Sequence, residues 1–139
     1  MISAVLDTNV LASGTVSAAN APGQILDAWH ARKFELVTST HIIGELLQTF
    51  QKPYFKNHLT NKAVTNFIDL LQNEAFVTPI TVQVQGVATH PGDDWIVATA
   101  LSAKADYLVT GDMPLLNKIG NSYKGVALTI PNDFLKILQ

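Results

Sequence analysis

The chain has 139 residues, no cysteine, a formal net charge of −2 and a pI of about 6.0. A chain of this length buries a core without disulfides or a structural metal, and the lack of cysteine excludes thiolate metal sites. The weakly acidic balance excludes a protein that holds nucleic acid by bulk charge, which leaves local basic patches or bound cations for that task. No apolar run has the length of a membrane span, and the N-terminus lacks the positive region of a signal peptide. We therefore expect one cytoplasmic domain, residues 1–139, with no membrane contact.

Strand-like and helix-like segments alternate along the chain. Buried strands are predicted at 2–6, 34–39, 106–111 and 125–130, with further β-rich segments at 75–80 and 81–87. Amphipathic helices are predicted between them, at 20–33, 41–50, from Thr60 or Asn61 onward, 94–105, 113–119 and 131–138. Between the first strand and helix we expect one helical turn at 10–14, followed by a loop at 14–20. Continuously apolar strands of this kind are typical of a parallel sheet covered by helices on both faces. The pattern predicts an α/β sandwich with a central parallel sheet.

Acidic residues recur where the predicted strands end. Asp7 and Asp112 each lie just past a strand, Asp94 lies in the first turn of a helix, and Glu45 lies at the margin of an apolar helical stripe. Each has a structural explanation when taken alone, as a helix cap, a first-turn acid or a surface residue. In a parallel sheet, however, all four can converge at one edge, where ligands bind. Clustered carboxylates repel one another, and a hard divalent cation such as Mg²⁺ removes the conflict.

The glycine in the middle of the 41–50 helix is unexpected. Gly44 costs a helix interior about 1 kcal/mol relative to alanine. One reason to accept that cost would be the close approach of another backbone.

Four segments together resemble the PIN-domain family, and most closely its bacterial branch of toxins from toxin–antitoxin pairs. They are VLDTNVL around Asp7, HIIGELLQTF with Glu45, HPGDDWIVATALSAKADYLVTGDMPLL at 90–116, and GVALTIPNDFLKIL near the C-terminus. The resemblance covers nearly the whole chain in order. It implies a three-layer α/β/α sandwich with a central parallel sheet, and a Mg²⁺- or Mn²⁺-dependent ribonuclease that cleaves single-stranded RNA. It also implies a cognate antitoxin that holds the enzyme inactive, and a homodimer.

The resemblance also assigns roles to individual residues. The catalytic metal ligands would be Asp7, Glu45, Asp94 and Asp112, and Asn9 and Thr110 would orient acids or waters. The branch often reads Asp-Pro-Asp-Asp-Asp where this chain reads HPGDD, so His90 and Gly92 replace two acids. His90 is either a phosphate contact or an ordinary loop histidine.

The two adjacent acids should have different tasks, because neighbouring residues on a helix point about 100° apart. Asp93 follows a Pro-Gly turn and is expected to be the N-cap of its helix. Asp94 lies one turn before Val97 and Ala98 and is expected to face the metal.

Substrate contacts are predicted in the segment QKPYFKNHLTNK at 51–62. Lys52, Lys56 and Lys62 could hold phosphates, and the neighbouring aromatic residues could stack bases. The alternative is a solvated helical hairpin with a few aromatics that face the core. The same segment, which we expect to project, suits an amphipathic protein partner.

Two other functions compete with the ribonuclease. Haloacid-dehalogenase-like phosphatases also place an aspartate after the first strand, but they need a second aspartate where this chain has Asn9. A PIN-like fold could also serve as a non-catalytic scaffold for nucleic acid or protein. The presence of all four acids argues against an eroded site.

Overall fold

The computed structural model describes residues 1–88 and 91–139, with every side chain in those ranges except that of Pro91. The hypothesis that His90 contacts phosphate lies outside the described residues. Within them, no helix is long and apolar enough to cross a membrane.

Six strands form a single sheet in the order β3-β2-β1-β4-β6-β5. Their bounds are β1 Ser3–Leu6, β2 Glu35–Thr38, β3 Phe76–Val77, β4 Tyr107–Val109, β5 Ser122–Tyr123 and β6 Val126–Thr129. The first five strands in that order pair in parallel, which confirms the predicted parallel sheet. Strand β5 is the exception, since it pairs antiparallel with β6 and was not predicted. Lys124 and Gly125 both have positive φ between these strands, as the favoured two-residue hairpin turn requires.

Helices cover both faces of the sheet in a three-layer α/β/α arrangement, as predicted. They are α1 Thr8–Val16, α2 Ala21–His30, α3 Thr40–Phe50, α4 Pro53–His58, α5 Asn61–Glu74, α6 Pro91–Ser102, α7 Met113–Ile119 and α8 Pro131–Leu138. Helix α6 packs on β1, β2, β4 and α3, while α1 packs on α2 and α3. Ala4, Val5 and Leu6 of β1 are fully buried. A strand shielded on both faces has no solvent side, which explains its uninterrupted apolar sequence.

One predicted β segment does not form a strand, and the predicted projecting segment contains a short helix. Within the described residues, 81–87 forms no strand, because its amide groups are taken by side chains of α6. The N–H groups of Thr81 and Val82 donate to Ser102 Oγ, at 2.9 and 3.2 Å. The predicted projecting segment contains the short exposed helix α4, which begins at Pro53. It is anchored by Phe55, whose ring packs edge-on against Phe50.

Close approach of another backbone does not explain Gly44, but such an approach occurs at other glycines. A Cβ added at Gly44 would meet no atom within 4 Å. By contrast, a Cβ at Gly14 would lie 2.6 Å from Leu26 Cδ1, because α1 is longer than predicted and crosses α2 closely. A Cβ at Gly23 would lie 2.0 Å from the carbonyl oxygen of Ser17.

Gly44→Ala is therefore expected to stabilise the protein by about 1 kcal/mol, since alanine restricts the unfolded chain and meets no neighbour in the helix. Gly23→Ala is the matched control and should be clearly destabilising, because its methyl group would overlap a backbone oxygen. Urea unfolding of both variants measures the two changes. A loss of stability in Gly44→Ala would contradict the open geometry.

Candidate active site

The two central strands carry acidic residues at their carboxyl ends, and a threonine connects them. Asp7 follows β1, and its N–H donates to the carbonyl of Val109 in β4 at 2.9 Å. The hydroxyl of Thr110 donates to Asp7 Oδ2 at 2.7 Å and accepts from the N–H of Asp112 at 3.0 Å. Thr110 is completely buried. One side chain thus fixes Asp7 relative to the backbone of Asp112.

Asp7 is in an environment that disfavours its charge. The residue is only 5% exposed, and burial is the main cause that raises the pKa of its carboxyl from 3.8 to about 6. The hydrogen bond from Thr110 lowers this pKa, and so does a weaker one from the backbone of Thr8. The negative charges of Asp93 and, to a smaller extent, Asp112 raise it again. Among the described residues, no cationic side chain is one of the groups that shift this pKa.

Asp112 has a structural task in addition to its charge. It is the N-cap of α7, where its Oδ1 accepts from the N–H of Leu115 at 3.1 Å. This bond orients the carboxylate in the turn between β4 and α7.

The acids open onto a cavity of about 270 Å³. Its walls are formed by Asp7, Asn9, Val10, Ser13, Pro22, Gly111, Asp112 and Pro131. The structure therefore brings Asn9 to the same opening as Asp7 and Asp112, and Thr110 beneath them. A larger cavity of about 650 Å³, which includes Trp29, Phe34 and Glu74, lies at the opposite, amino-terminal end of β2. It contains none of these strand-end acids.

Glu45 lies next to this group without touching Asp7. Its Oε2 accepts from the hydroxyl of Thr8 at 3.4 Å, and its Oε1 lies 2.6 Å from Nε2 of His41, one turn earlier on α3. Both Oε1 and Nε2 are shielded from solvent and have no further hydrogen-bond partner among the described residues. Glu45 is not among the groups that shift the pKa of Asp7. It is a neighbour of the site through Thr8.

The expectation that Asp93 is the N-cap of α6 is wrong, and Asp94 has hydrogen-bond partners in the protein. Helix α6 begins at Pro91, so Asp93 is not its N-cap but lies within its first turn. The carboxylate of Asp94 binds the loop before the helix. Its Oδ2 accepts from the N–H of Gly86 at 3.0 Å, and its Oδ1 accepts from those of Val87 and Ala88 at 3.1 and 2.7 Å.

Asp93 is the member of the pair that acts on Asp7, since its charge helps to raise the pKa of that carboxyl and the charge of Asp94 does not. Asp94 rather than Asp93 binds the 86–88 loop. Lys118 holds the loop from the other side, as its Nζ donates to the carbonyl of Ala88 at 2.8 Å. Asp94 therefore anchors the 86–88 loop, and the charge of Asp93 acts on Asp7.

The three lysines proposed for substrate contact are not part of this group. Lys52, Lys56 and Lys62 are exposed on or beside α4 and at the start of α5. Among the described residues, none of them forms an ion pair with Asp7, Glu45, Asp93, Asp94 or Asp112. They stay candidates for contacts outside the cavity.

Sequence reasoning missed four residues that shape the surroundings of the site. They are Thr8, His41, Trp95 and Lys118. Thr8 and Trp95 each lie directly beside an acid in the sequence, and that adjacency was the available signal. His41 and Lys118 reach their partners only through the fold.

The described residues contain no group of three or more acids or histidines close enough together to hold a metal ion as they stand. Asp7, Asp93 and Asp112 interact through their charges at longer range. They share a set of oxygen donors at the end of the sheet. Within residues 1–88 and 91–139, no cationic side chain acts on Asp7, the most buried of the three.

Comparisons with known proteins agree with this architecture. The crystal structure of FitAcB from Neisseria gonorrhoeae is similar in fold, with a TM-score of 0.55 and 18% identity over 92% of this chain and 97% of that one. No curated protein matches the sequence significantly. The sequence model of the PIN domain matches residues 3–113, which is most of the chain and includes Asp7, Glu45, Asp93 and Asp112. The chain therefore belongs to the PIN-domain family.

Proposed function

We propose that the chain is a Mg²⁺- or Mn²⁺-dependent endoribonuclease that cleaves phosphodiester bonds of single-stranded RNA. PIN domains are generally nucleases and typically use divalent metals. The observation that carries the proposal for this chain is the environment of Asp7. It is a buried carboxyl whose pKa is raised to about 6 and lies near the charges of Asp93 and Asp112, at the end of the two central strands.

The donor set fits a hard divalent cation. Carboxylate oxygens are the ligands that Mg²⁺ prefers, and a few of them suffice because the ion keeps several waters. A cation would also relieve the repulsion that Asp7 experiences, for which no positive side chain in the described part of the chain compensates. Asp7, Asp93 and Asp112 would hold the ion, and Glu45 would contribute from the side of Thr8. When bound, such an ion activates water and stabilises negative charge on a phosphodiester.

The other residues position this set. The hydroxyl of Thr110 donates to the carboxylate of Asp7 and accepts from the backbone N–H of Asp112. Asn9 supplies a neutral polar group at the mouth of the cavity, where it can donate to a phosphate or a water. Asp94 keeps the 86–88 loop against the start of α6, next to Asp93. We assign it this supporting role in place of the metal-ligand role expected from the sequence.

We further propose that the protein is the toxin component of a toxin–antitoxin pair in the cytoplasm, that residues 1–139 act as one nuclease domain, and that it forms a homodimer. The support is the family membership together with the resemblance of the motifs to the toxin branch. An antitoxin segment would cover the acidic cavity. Lys52, Lys56 and Lys62 would contact RNA phosphates beyond it.

Cleavage of a panel of single-stranded RNAs tests the proposal. Purified protein should cleave them with Mg²⁺ or Mn²⁺ and should be inactive in EDTA, and activity should return when the metal is restored. Duplex RNA of the same sequence is the control and should be cut far more slowly, because its phosphates are held in a helix. Metal-independent binding without cleavage under every condition would point instead to the non-catalytic scaffold.

A further inference from the structure

An exposed tryptophan stands directly beside the acids. Trp95 follows Asp94 near the start of α6, and 46% of its surface is exposed. The other tryptophan, Trp29, is only 7% exposed and belongs to the core. Exposing an indole to water forfeits a large hydrophobic gain. Trp95 therefore needs a reason other than folding.

The ring of Trp95 stacks on a second aromatic ring that is itself held in place. It lies over the imidazole of His41 with 4.9 Å between centroids and 23° between planes. His41 is itself held by its contact with Glu45. A chain of hydrogen bonds links the beginning of α3 to α6. The N–H of Ile42 donates to Ser39 Oγ, Ser39 contacts Thr99 Oγ1 at 2.9 Å, and Thr99 donates to the carbonyl of Trp95 at 2.8 Å. The aromatic pair is thus a preorganised surface.

This surface borders the proposed catalytic group. Glu45 touches His41 on one side and Thr8, the neighbour of Asp7, on the other. A Cβ added at Gly92, which precedes Asp93, would lie 3.8 Å from Glu45 Oε1. The aromatic pair and the acids therefore share the end of the sheet where α3 and α6 begin.

There is room for a planar ring next to Trp95. The indole lines a cavity of about 230 Å³ together with Val82, Gln83, Val84, Gln85, Asp94 and Ala98. This volume is below the roughly 300–1,000 Å³ of pockets for drug-sized ligands, so it suits a single ring system. The glutamine amides in its wall carry both donors and acceptors, as the edge of a nucleobase does.

We propose that Trp95, braced by His41, is a substrate-binding residue that stacks an unpaired nucleobase of single-stranded RNA whose backbone enters the acidic cavity. The inference rests on the proposed function and adds a binding contact to it. A chain with net charge −2 does not hold RNA by bulk charge. Stacking on an aromatic ring is independent of that charge and tolerates any base sequence. The mixed polar lining of the cavity favours a base over an apolar protein segment.

Tryptophan fluorescence tests the contact without turnover. In a Trp29→Phe background Trp95 is the sole tryptophan reporter, and short single-stranded oligoadenylate or oligouridylate is titrated in EDTA. We expect single-stranded RNA to quench the fluorescence of Trp95 saturably, and duplex RNA to cause no quenching. The dissociation constant from this quenching should equal the one measured by fluorescence anisotropy of labelled RNA. If Trp29→Phe does not fold, iodide protection in the wild-type protein reports the same contact, because only Trp95 is accessible.

Matched variants locate the effect. In otherwise native protein, Trp95→Leu should raise the dissociation constant about tenfold, and Trp95→Phe should restore most of the affinity because it keeps a stacking face. Phe76→Leu removes an aromatic of similar exposure, 48%, on the edge strand and should change nothing. In metal-dependent cleavage, Trp95→Leu should raise KM more than it lowers kcat.

Unchanged affinity in Trp95→Leu, or no quenching by bound RNA, overturns the proposal. A fluorescence change that follows protein concentration alone, with no response to RNA, overturns it too and assigns Trp95 to a contact between copies of the chain. The nuclease function is judged separately. Quenching without cleavage in Mg²⁺ or Mn²⁺ supports the stacking site and rejects the nuclease function. Cleavage that does not depend on Trp95 supports the nuclease function and rejects the stacking site.

Discussion

Asp7→Asn is expected to abolish metal-dependent RNA cleavage and to make the metal-free protein more stable at neutral pH. The two effects have one cause. The carboxylate of Asp7 is buried and close to other acids, so its charge is costly in the folded chain unless a cation compensates for it. Asparagine keeps the shape and an oxygen that accepts from Thr110, but it removes the charge that a cation needs. Cleavage assays and urea unfolding in EDTA measure the two effects.

The pH dependence of the stability change follows from the raised pKa of Asp7. Between pH 3.8 and about 6 the native state binds more protons at this residue than the unfolded state does. Its contribution to stability therefore falls as pH rises through that window, and the full penalty is present above pH 6. The stability difference between Asp7→Asn and the wild type should be small near pH 4 and reach a plateau of about 1–3 kcal/mol above pH 7.

An exposed acid provides the control for this experiment. Asp69→Asn on α5 removes the same charge at an exposed position and should change stability by only a few tenths of a kcal/mol. Added Mg²⁺ or Mn²⁺ should stabilise the wild type and Asp69→Asn but not Asp7→Asn, because ions that bind only the native state raise its stability. Wild-type cleavage by Asp7→Asn would remove the proposed mechanism.

Asp93→Asn and Asp94→Asn are expected to have opposite effects. Asp93→Asn should lose most of the cleavage activity and gain some stability without metal, since the charge of Asp93 acts on Asp7. Asp94→Asn should stay active where it is folded but lose about 1–3 kcal/mol of stability, because a carboxylate that accepts three backbone N–H groups is replaced by a side chain with one acceptor oxygen.

A double-mutant cycle with Asp7→Asn distinguishes the two residues further. The stability effects of mutating two interacting charges are not additive. The stabilisation caused by Asp93→Asn should therefore be smaller once Asp7 is neutral. The destabilisation in Asp94→Asn should be the same in both backgrounds. An inactive Asp94→Asn paired with an active Asp93→Asn would restore the assignment that the sequence suggested.

Much of the fold was predictable because its signals are local. Residues 4–6 and 107–109 are continuously apolar, and that pattern indicates strands buried on both faces. Asp7 and Asp112 come directly after these strands, so a parallel sheet necessarily brings them to the same edge. The hairpin of β5 and β6 was missed because its signal is a single Lys-Gly pair in a short turn.

Residues 81–87 show where local pattern misleads. The segment TVQVQGV has the composition of a strand, yet the side chains of Ser102 and Asp94 bind its amide groups instead of a neighbouring strand. Gly44 shows that a local pattern can also mislead about the surroundings of a glycine. Its presence in a helix suggested a close neighbour, but only the packing of α3 reveals that the space beside it is open.

The sequence by itself determined the parallel α/β/α architecture and the meeting of Asp7 with Asp112, since both follow from strand order and strand ends. Only the tertiary structure decided that Asp94 binds the 86–88 loop while the charge of Asp93 acts on Asp7, and that His41 stacks on Trp95. One residue along a helix turns a side chain by about 100°. The facing acid therefore depends on where α6 begins and where the 86–88 loop passes. Both are set by contacts between residues distant in the chain, which no local pattern encodes.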